Sequence, residues 1–374
     1  MIKRVYDNLL ELMDKGKVLV LYGSRQVGKT TLLKTSLADC GQKYLLVSGD
    51  NIKMREIIGS LDLDILKSFV EGYEIIAIDE AQRITNIGIG LKMLIDDNPD
   101  LRIIATGSSS FELAGQVGEP LTGRKKTLTL YPVWSGELLH QSNKFEIHNA
   151  LESYLIYGLY PAVLTAKTVA QKKEILEELT HSYLLKDIFD FDKVRGSKRI
   201  LDLLRLLAFQ VGREVSLSEL GQQLGIDSKT VARYLDLLEK AFVIINLRGY
   251  GSNLRKEITS KSKYFFYDNG IRNALIANFN PFKLRDDLGL LWENHIFIER
   301  LKKRSYQNIY ANMFFWRSWS QQEVDLIEER DGKLFAYEIK WSAKKHKPPK
   351  SFMENYPEST WQIIDRSNYQ NFTI

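Results

Sequence analysis

The chain has 374 residues, too many for one core of ordinary size, and its 44% hydrophobic and 26% charged content is that of a globular protein. Its 52 basic and 47 acidic residues leave a net charge of +5, which permits an anionic partner without demanding one. The single cysteine, Cys40, excludes an intramolecular disulfide and a cysteine-rich zinc site and suits a reducing, cytosolic setting.

The N-terminal stretch MIKRVYDNLLELMDKGK has the spacing of an amphipathic helix and not of a secretion signal. No apolar run is long enough to cross a bilayer, so no membrane partner is expected. Up to about residue 132, short apolar runs alternate with helical patterns. KVLVLY (17–22), KYLLVSGD (43–50), EIIAID (74–79), LRIIATG (101–107) and KTLTLYP (126–132) read as strands, with a helix over Ile87–Asp96. Continuous apolar strands suit a parallel sheet covered on both faces, so the rhythm predicts a three-layer α/β domain.

Between the first strand and a helix lies Gly23-Ser24-Arg25-Gln26-Val27-Gly28-Lys29-Thr30-Thr31, which fits G-x-x-x-x-G-K-[ST]. The glycines let backbone N–H groups turn toward phosphate oxygens, and the following helix N-terminus adds partial positive charge. Lys29 is expected on the β and γ phosphates, and Thr30 on Mg²⁺. In IIAIDEAQ, Asp79 is placed to hold the same Mg²⁺ and Glu80 to polarise the attacking water. After LRIIATG, Ser108 is the candidate to reach the γ-phosphate, with Thr106 as the alternative. No N-K-x-D guanine motif is present, which favours ATP.

GSRQVGKTTLL, IIAIDEAQ, ATGSSS and LTGRKKTLTLYPVWSGEL together resemble the AAA-class P-loop ATPases over roughly the first 140 residues. The prokaryotic group most similar carries a C-terminal region of uncharacterised function. The resemblance implies a transition-state arginine, for which Arg124 is the candidate, commonly supplied by a neighbouring subunit. It therefore implies a homo-oligomer.

Residues 134–194 turn helical, ending in the amphipathic AQKKEILEELTHSYLLKDIFDF, and are expected to form a lid. VSLSELGQQLGIDSKTVARYLDLLEKAFVI (215–244) reads as two helices about a turn at Gly225, followed by strand-like FVIINLRGY and KYFFYD. This predicts a winged helix-turn-helix. Ser228, Lys229, Thr230 and Arg233 would lie at the groove-facing end of the second helix. Arg248, Arg255, Lys256, Lys261 and Lys263 of the wing region would neutralise phosphates of DNA or RNA. Asp236 and Glu239 dilute that charge, and such folds also serve as spacers.

Beyond Pro281 comes a helix (288–302), then strands in MFFWRSW, EVDLIEE and LFAYEIKW. Glu293 lies in the helix, Asp325 in the second strand, and Glu338 with Lys340 in the third. Residues i and i+2 of a strand share a face, so Glu338 and Lys340 project together. Carboxylates suit Mg²⁺ or Mn²⁺ that could activate water at a phosphodiester, with Lys340 positioning that water and not acting as a ligand. Glu299 and Glu323 are rival carboxylates. Trp316, Trp319 and Trp341 are core candidates, one of which could instead stack on a base. The order helix Glu, strand Asp, Glu-x-Lys resembles the PD-(D/E)XK nuclease-like fold over roughly 285–374, with Val324 standing where the pattern name has proline.

The expected architecture is thus α/β throughout: a P-loop NTPase parallel sheet (1–133), a helical lid (134–194), a winged helix (195–280) and a restriction-endonuclease-like α/β domain (281–374).

Overall fold

The computed structural model describes residues 2–38, 40–107, 120–184, 197–251, 262–342 and 346–374. Their contacts divide into two compact units. Among the described residues, the first takes those up to Pro132 together with Lys240–Phe242, and the second takes the rest.

The first unit follows its apolar pattern. Strands β1 (Val18–Tyr22), β2 (Tyr44–Ser48), β3 (Ile75–Asp79), β4 (Arg102–Gly107) and β5 (Lys125–Thr129) form one parallel sheet in the order β2-β3-β4-β1-β5. This is a P-loop NTPase-like sheet. The three inner strands are buried almost throughout, as expected where helices cover both faces. Helices α1 (Lys29–Ala38), α2 (Ile52–Gly59), α3 (Leu63–Val70) and α4 (Ile87–Asp97) do the covering. Ile58, Leu66, Leu91 and Leu94 join Val18, Val20, Ile76 and Ile103 in the core on one side. The strand order brings the C-terminal ends of β1, β3 and β4 together, the edge where ligands bind in such sheets.

The expected N-terminal helix is corrected. Residues Leu9–Leu12 form a single 3₁₀ turn, capped by Asn8, whose side chain accepts from Leu10 N at 3.1 Å. Leu9 is buried, and its N–H donates to Ser36 Oγ on α1 at 3.2 Å. Docking one leucine needs only this turn, and a lone short amphipathic helix has little stability of its own to extend it.

The second unit begins with α5 (Lys144–Asn149), α6 (Leu151–Tyr157), α7 (Pro161–Thr165) and α8 (Val169–Glu178), the last running into a π-helical turn at Leu179–Leu184. The segment expected as a lid therefore clusters with the C-terminal part of the chain, as far as it is described. Next come α9 (Ser197–Phe209), β6 (Glu214–Val215), α10 (Leu217–Leu224), α11 (Ser228–Lys240), β7 (Ile244–Gly249), β8 (Ser262–Phe266) and α12 (Asn269–Leu275). The chain closes with α13 (Leu288–Tyr306), β9 (Asn312–Arg317), β10 (Glu323–Arg330), β11 (Lys333–Ile339), α14 (Lys350–Asn355), β12 (Thr360–Ile364) and α15 (Tyr369–Thr373).

Among the described residues, the seven strands of this unit belong to one mixed sheet, β12-β11-β10-β9-β7-β8-β6. The join is β7 to β9, parallel, with Arg248 opposite Phe314 and Gly249 opposite Phe315. The hairpin expected as a wing and the strands expected as a nuclease-like fold are therefore one hydrogen-bonded layer.

Helix α13 is buried over most of its middle, polar residues included. Asn294, Glu299, Arg300 and Lys302 among them are hydrogen-bonded. Asn294 bonds both the N–H and the carbonyl of Phe266, at 2.7 and 2.9 Å. Arg300 grips Glu328 with two bonds of 2.6 and 2.8 Å. Glu299 accepts from Lys302 at 2.8 Å and from Ser135 N at 2.7 Å. Paired in this way, a buried charge becomes tolerable. Among the described residues no helix is long and apolar enough to cross a membrane.

Candidate functional sites: a phosphate loop and a carboxylate–lysine cluster

The phosphate loop leaves β1 at Gly23. Its φ of 154°, and the Leu130 carbonyl inside contact distance of any Cβ, admit only glycine. Lys29, the first residue of α1, is buried, and its Nζ donates to the carbonyls of Gly23 and Ser24, both at 2.8 Å. Thr30 Oγ1 donates to Asp79 Oδ2 at 2.8 Å, and Thr106 Oγ1 donates to the other carboxylate oxygen. Asp79 thus ties the start of α1 to the ends of β3 and β4. Glu80 follows in a left-handed conformation (φ 52°) and accepts from Gln82 Nε2 at 2.6 Å. These residues fit Mg·ATP. The Thr30 hydroxyl and the Asp79 carboxylate are hard oxygen donors already in contact, and the N-terminus of α1 faces the loop. A Mg²⁺ held there would neutralise charge on the phosphate oxygens.

Sequence reasoning missed Arg4. Its guanidinium donates to Val27 O at 2.5 Å and Tyr131 O at 2.6 Å, clamping the loop from behind. Of the two candidates at the end of β4, Thr106, within the strand, is in the cluster, whereas Ser108 lies outside the described residues.

In the second unit, the four residues singled out do converge. Lys340 Nζ lies 2.6 Å from Glu338 Oε1 and 3.3 Å from Asp325 Oδ2. The same Asp325 oxygen accepts from Ile339 N at 2.8 Å. Glu293 faces them from α13, with Gly212 so close that an added Cβ would sit 3.2 Å from its carboxylate. Burial, with Asp325 and Glu323 nearby, pushes the Glu293 carboxyl up to about 8. Burial and Asp325 likewise raise Glu338. Beside Glu293 and Lys340 a cavity of about 450 Å³ is also lined by Arg213, Arg272, Asp287 and Trp341.

A fifth participant changes the chemistry. Lys263 of β8, expected to meet phosphates from a surface wing, is only 2% exposed. Its Nζ is 2.5 Å from Glu323 Oε1 and 3.4 Å from Glu293 Oε1. Burial opposes its charge, but Glu293, Glu323 and Asp325 outweigh that and its pKa is raised. The signal was strand parity: Lys263 shares a face with Phe265, which is buried and stacked on Phe297 at 4.2 Å. The divalent-cation site expected here therefore meets a different charge arrangement. Among the described residues no three carboxylate, imidazole or thiol groups gather as a ligand set. The carboxylates are engaged by two ammonium groups, and as arranged they do not fit a cation.

The remaining candidates separate cleanly. Glu299 is a structural ion-pair partner, while Glu323 belongs to the cluster. Trp316 is core. Trp341 packs edge-on against Trp292 and Phe282, with Arg366 over its ring at 4.7 Å. Trp319 is fully exposed. Asp227 caps α11 through Thr230, accepting from its N–H at 2.9 Å and its hydroxyl at 2.7 Å. Lys229, Arg233 and Arg248 are exposed, whereas Arg255, Lys256 and Lys261 lie outside the described residues.

Comparison with known proteins finds three family models along the chain, two of them within the second unit. Residues 15–139 match the family model described as "AAA domain". Residues 148–282 match "Domain of unknown function (DUF8612)" and 288–370 "Domain of unknown function (DUF4143)". The first unit is an AAA-class P-loop ATPase domain. Similar full-length proteins include "Uncharacterized protein Rv2008c" of Mycobacterium tuberculosis, 26% identical over 89% of this chain and 72% of that one. Another is "Uncharacterized protein MJ1544" of Methanocaldococcus jannaschii, 23% identical over 83% and 72%. Among solved structures, the Thermotoga maritima RuvB Holliday junction branch migration motor is 16% identical over 61% of this chain and 81% of that chain, with a TM-score of 0.28.

Within the ATPase domain, Arg124 stands at the far end of the sheet from the phosphate loop. Val18, which opens β1, donates to the Arg124 carbonyl at 2.8 Å, and the loop begins only after Tyr22. At about 3.3 Å per residue the two ends lie on the order of 15 Å apart. The Arg124 side chain is 43% exposed and paired with Asp96 at 2.6 Å.

Proposed function

We propose that this cytosolic protein hydrolyses ATP in its ATPase domain and uses the nucleotide state to control a nuclease-like C-terminal unit that engages DNA or RNA. For turnover, the roles assigned are Lys29 on the β and γ phosphates, Thr30 and Asp79 on Mg²⁺, Glu80 orienting the water, and Thr106 reading the γ-phosphate through Asp79. In-line attack on the γ-phosphorus is chiefly a matter of positioning and charge, which this loop supplies. Arg124 acts, in this reading, only from a neighbouring copy, because its own loop is at the opposite edge of the sheet. That makes the working form a homo-oligomer.

The observation that carries the nucleic-acid part is the meeting of Glu293, Asp325, Glu338 and Lys340 beside a roomy cavity, in the order of a PD-(D/E)XK fold. The helix pair α10–α11 with its β7–β8 hairpin reads as a winged helix, with Lys229, Arg233 and Arg248 as exposed cations for phosphates. A second reading, a module that holds its ligand without cutting, is favoured by Lys263 inside the cluster.

The test is phosphate release with and without duplex DNA, single strands and RNA at low salt, with binding followed by fluorescence anisotropy. Turnover raised several-fold by one of these polymers is the expected result. Unchanged turnover together with no binding at low salt overturns the nucleic-acid reading.

A further inference from the structure

We infer that Lys263 occupies the place of a divalent cation among the C-terminal carboxylates, making this unit a metal-independent binding module and not a metal-dependent nuclease. The inference rests on the nuclease-like reading above. It begins with where the charges stand. Lys263 Nζ bridges Glu293 on α13 and Glu323 on β10, at 3.4 and 2.5 Å. Lys340 Nζ bridges Glu338 on β11 and Asp325 on β10, at 2.6 and 3.3 Å. Arg317 adds a third positive group, 3.3 Å from Glu214 and 3.9 Å from Glu323. Acidic and basic groups therefore alternate through the cluster, and the compensation that a bound cation would bring is already built into the chain.

Lys263 is also held in place. It enters from β8, a strand paired with β7 on one side and β6 on the other, so its backbone is fixed. The ammonium lies 5.2 Å from the centre of the Phe315 ring, which it faces as a cation. A divalent ion entering the cluster would have to break both ion pairs and leave a buried ammonium with no carboxylate. That desolvation cost falls on a competing ion, because the tethered ammonium is always present. Lys340 is similarly tied to two carboxylates, and Asp325 is further occupied by the Ile339 N–H.

The experiment is a Mn²⁺ titration of the full chain, without nucleotide, followed by the loss of the free-ion electron paramagnetic resonance signal. It is run in an Asp79→Asn background, so that the ATPase site contributes no ion. With Lys263 intact, no Mn²⁺ should bind and no Mn²⁺-dependent cutting of nucleic acid should appear. Lys263→Met should acquire one Mn²⁺ per chain and lose it again when Glu293→Gln is added. If Lys263→Met does not fold alone, recovery of a cooperative thermal transition on adding Mn²⁺ is the same expected gain.

One Mn²⁺ bound by the Lys263 protein and abolished by Glu338→Gln overturns the inference. So does Lys263→Met that neither binds nor is rescued by Mn²⁺. Anisotropy with nucleic acid in excess chelator, on the same samples, keeps the two readings apart. No binding of any polymer defeats the functional proposal but leaves the Mn²⁺ result to judge Lys263.

Discussion

Two buried lysines, one in each unit, are held by different kinds of partner. Lys29 in the phosphate loop donates to two main-chain carbonyls, neutral acceptors that it can exchange for phosphate oxygens. Lys263 sits between two carboxylates, charged acceptors that it cannot leave without stranding buried charge. Both sets of bonds are charge-assisted through the ammonium, but only breaking those of Lys263 leaves a buried carboxylate uncompensated. A site built to take a ligand keeps its cation on weak leashes. A cluster that only has to persist locks its cation between opposite charges.

The sharpest way to break this contrast is to remove the locked lysine. Lys263→Met should destabilise the second unit by about 3–5 kcal/mol, the usual result of stripping one partner from a buried pair. Glu293→Gln added to it should recover part of that, as read by urea denaturation. Equal stability of the single variant and the unaltered protein would mean that the ion pairs are idle.

Lys29→Ala should do the opposite. We expect little change in stability but a loss of ATP turnover of about 10²–10³-fold, comparable to removing one preorganised donor at a developing charge. Phosphate release measures it, and a fall in the melting transition as large as that of Lys263→Met would erase the distinction.

Acid gives a further reading on the second unit. Burial holds His295 of the second unit down at about 4, against an ordinary 6.5. The folded form therefore binds fewer protons than the unfolded chain between these values. Stability from this source is present above pH 6.5 and is lost as pH falls toward 4, by about 3 kcal/mol in all. Glu293, held up at about 8, and Asp268, held up at about 6, act with the opposite sign in the same unit, so the His295 share is read by difference. The stability of the unaltered protein relative to His295→Asn, from urea denaturation, should fall as pH drops from 7 toward 4.

The smallest structural effect is expected at Arg124. Its pair with Asp96 is largely solvated, so Arg124→Ala should cost less than about 1 kcal/mol of stability. ATP turnover should nonetheless fall, and recover when this variant is mixed with Glu80→Gln. No recovery on mixing removes the trans role.

Much of the ATPase domain could be read directly from the residues, because inner parallel strands are written as unbroken apolar runs and the loop has fixed spacing. Four of the five strands stand within two residues of where those runs place them, and the fifth, expected over 126–132, ends three residues early at Thr129. Contacts that arise only when distant segments meet were not legible. Arg4 braces Val27 and Tyr131 across 23 and 127 residues, and nothing local in IKRVY signals it. Strand β12, TWQII, was missed because it lies at the sheet's edge and is only partly buried, so its pattern is weak.

In the second unit Glu293, Asp325, Glu338 and Lys340 were legible from order and parity. The Lys263 role was not drawn, because a basic residue in a hairpin was weighed by its charge and not by the buried face that Phe265 marks. The N-terminal helix failed for the converse reason: amphipathic spacing permits a helix, but one buried leucine does not require it.

The parallel pairing of Gly249 with Phe315 has a practical corollary for dissecting the protein. A fragment stopping at residue 280 would carry β7 with its ladder bonds bared on one flank, and the complementary piece would bare β9. Raw edges of that sort recruit foreign strands. Halves cut there should clump when expressed separately and stay dispersed when made together.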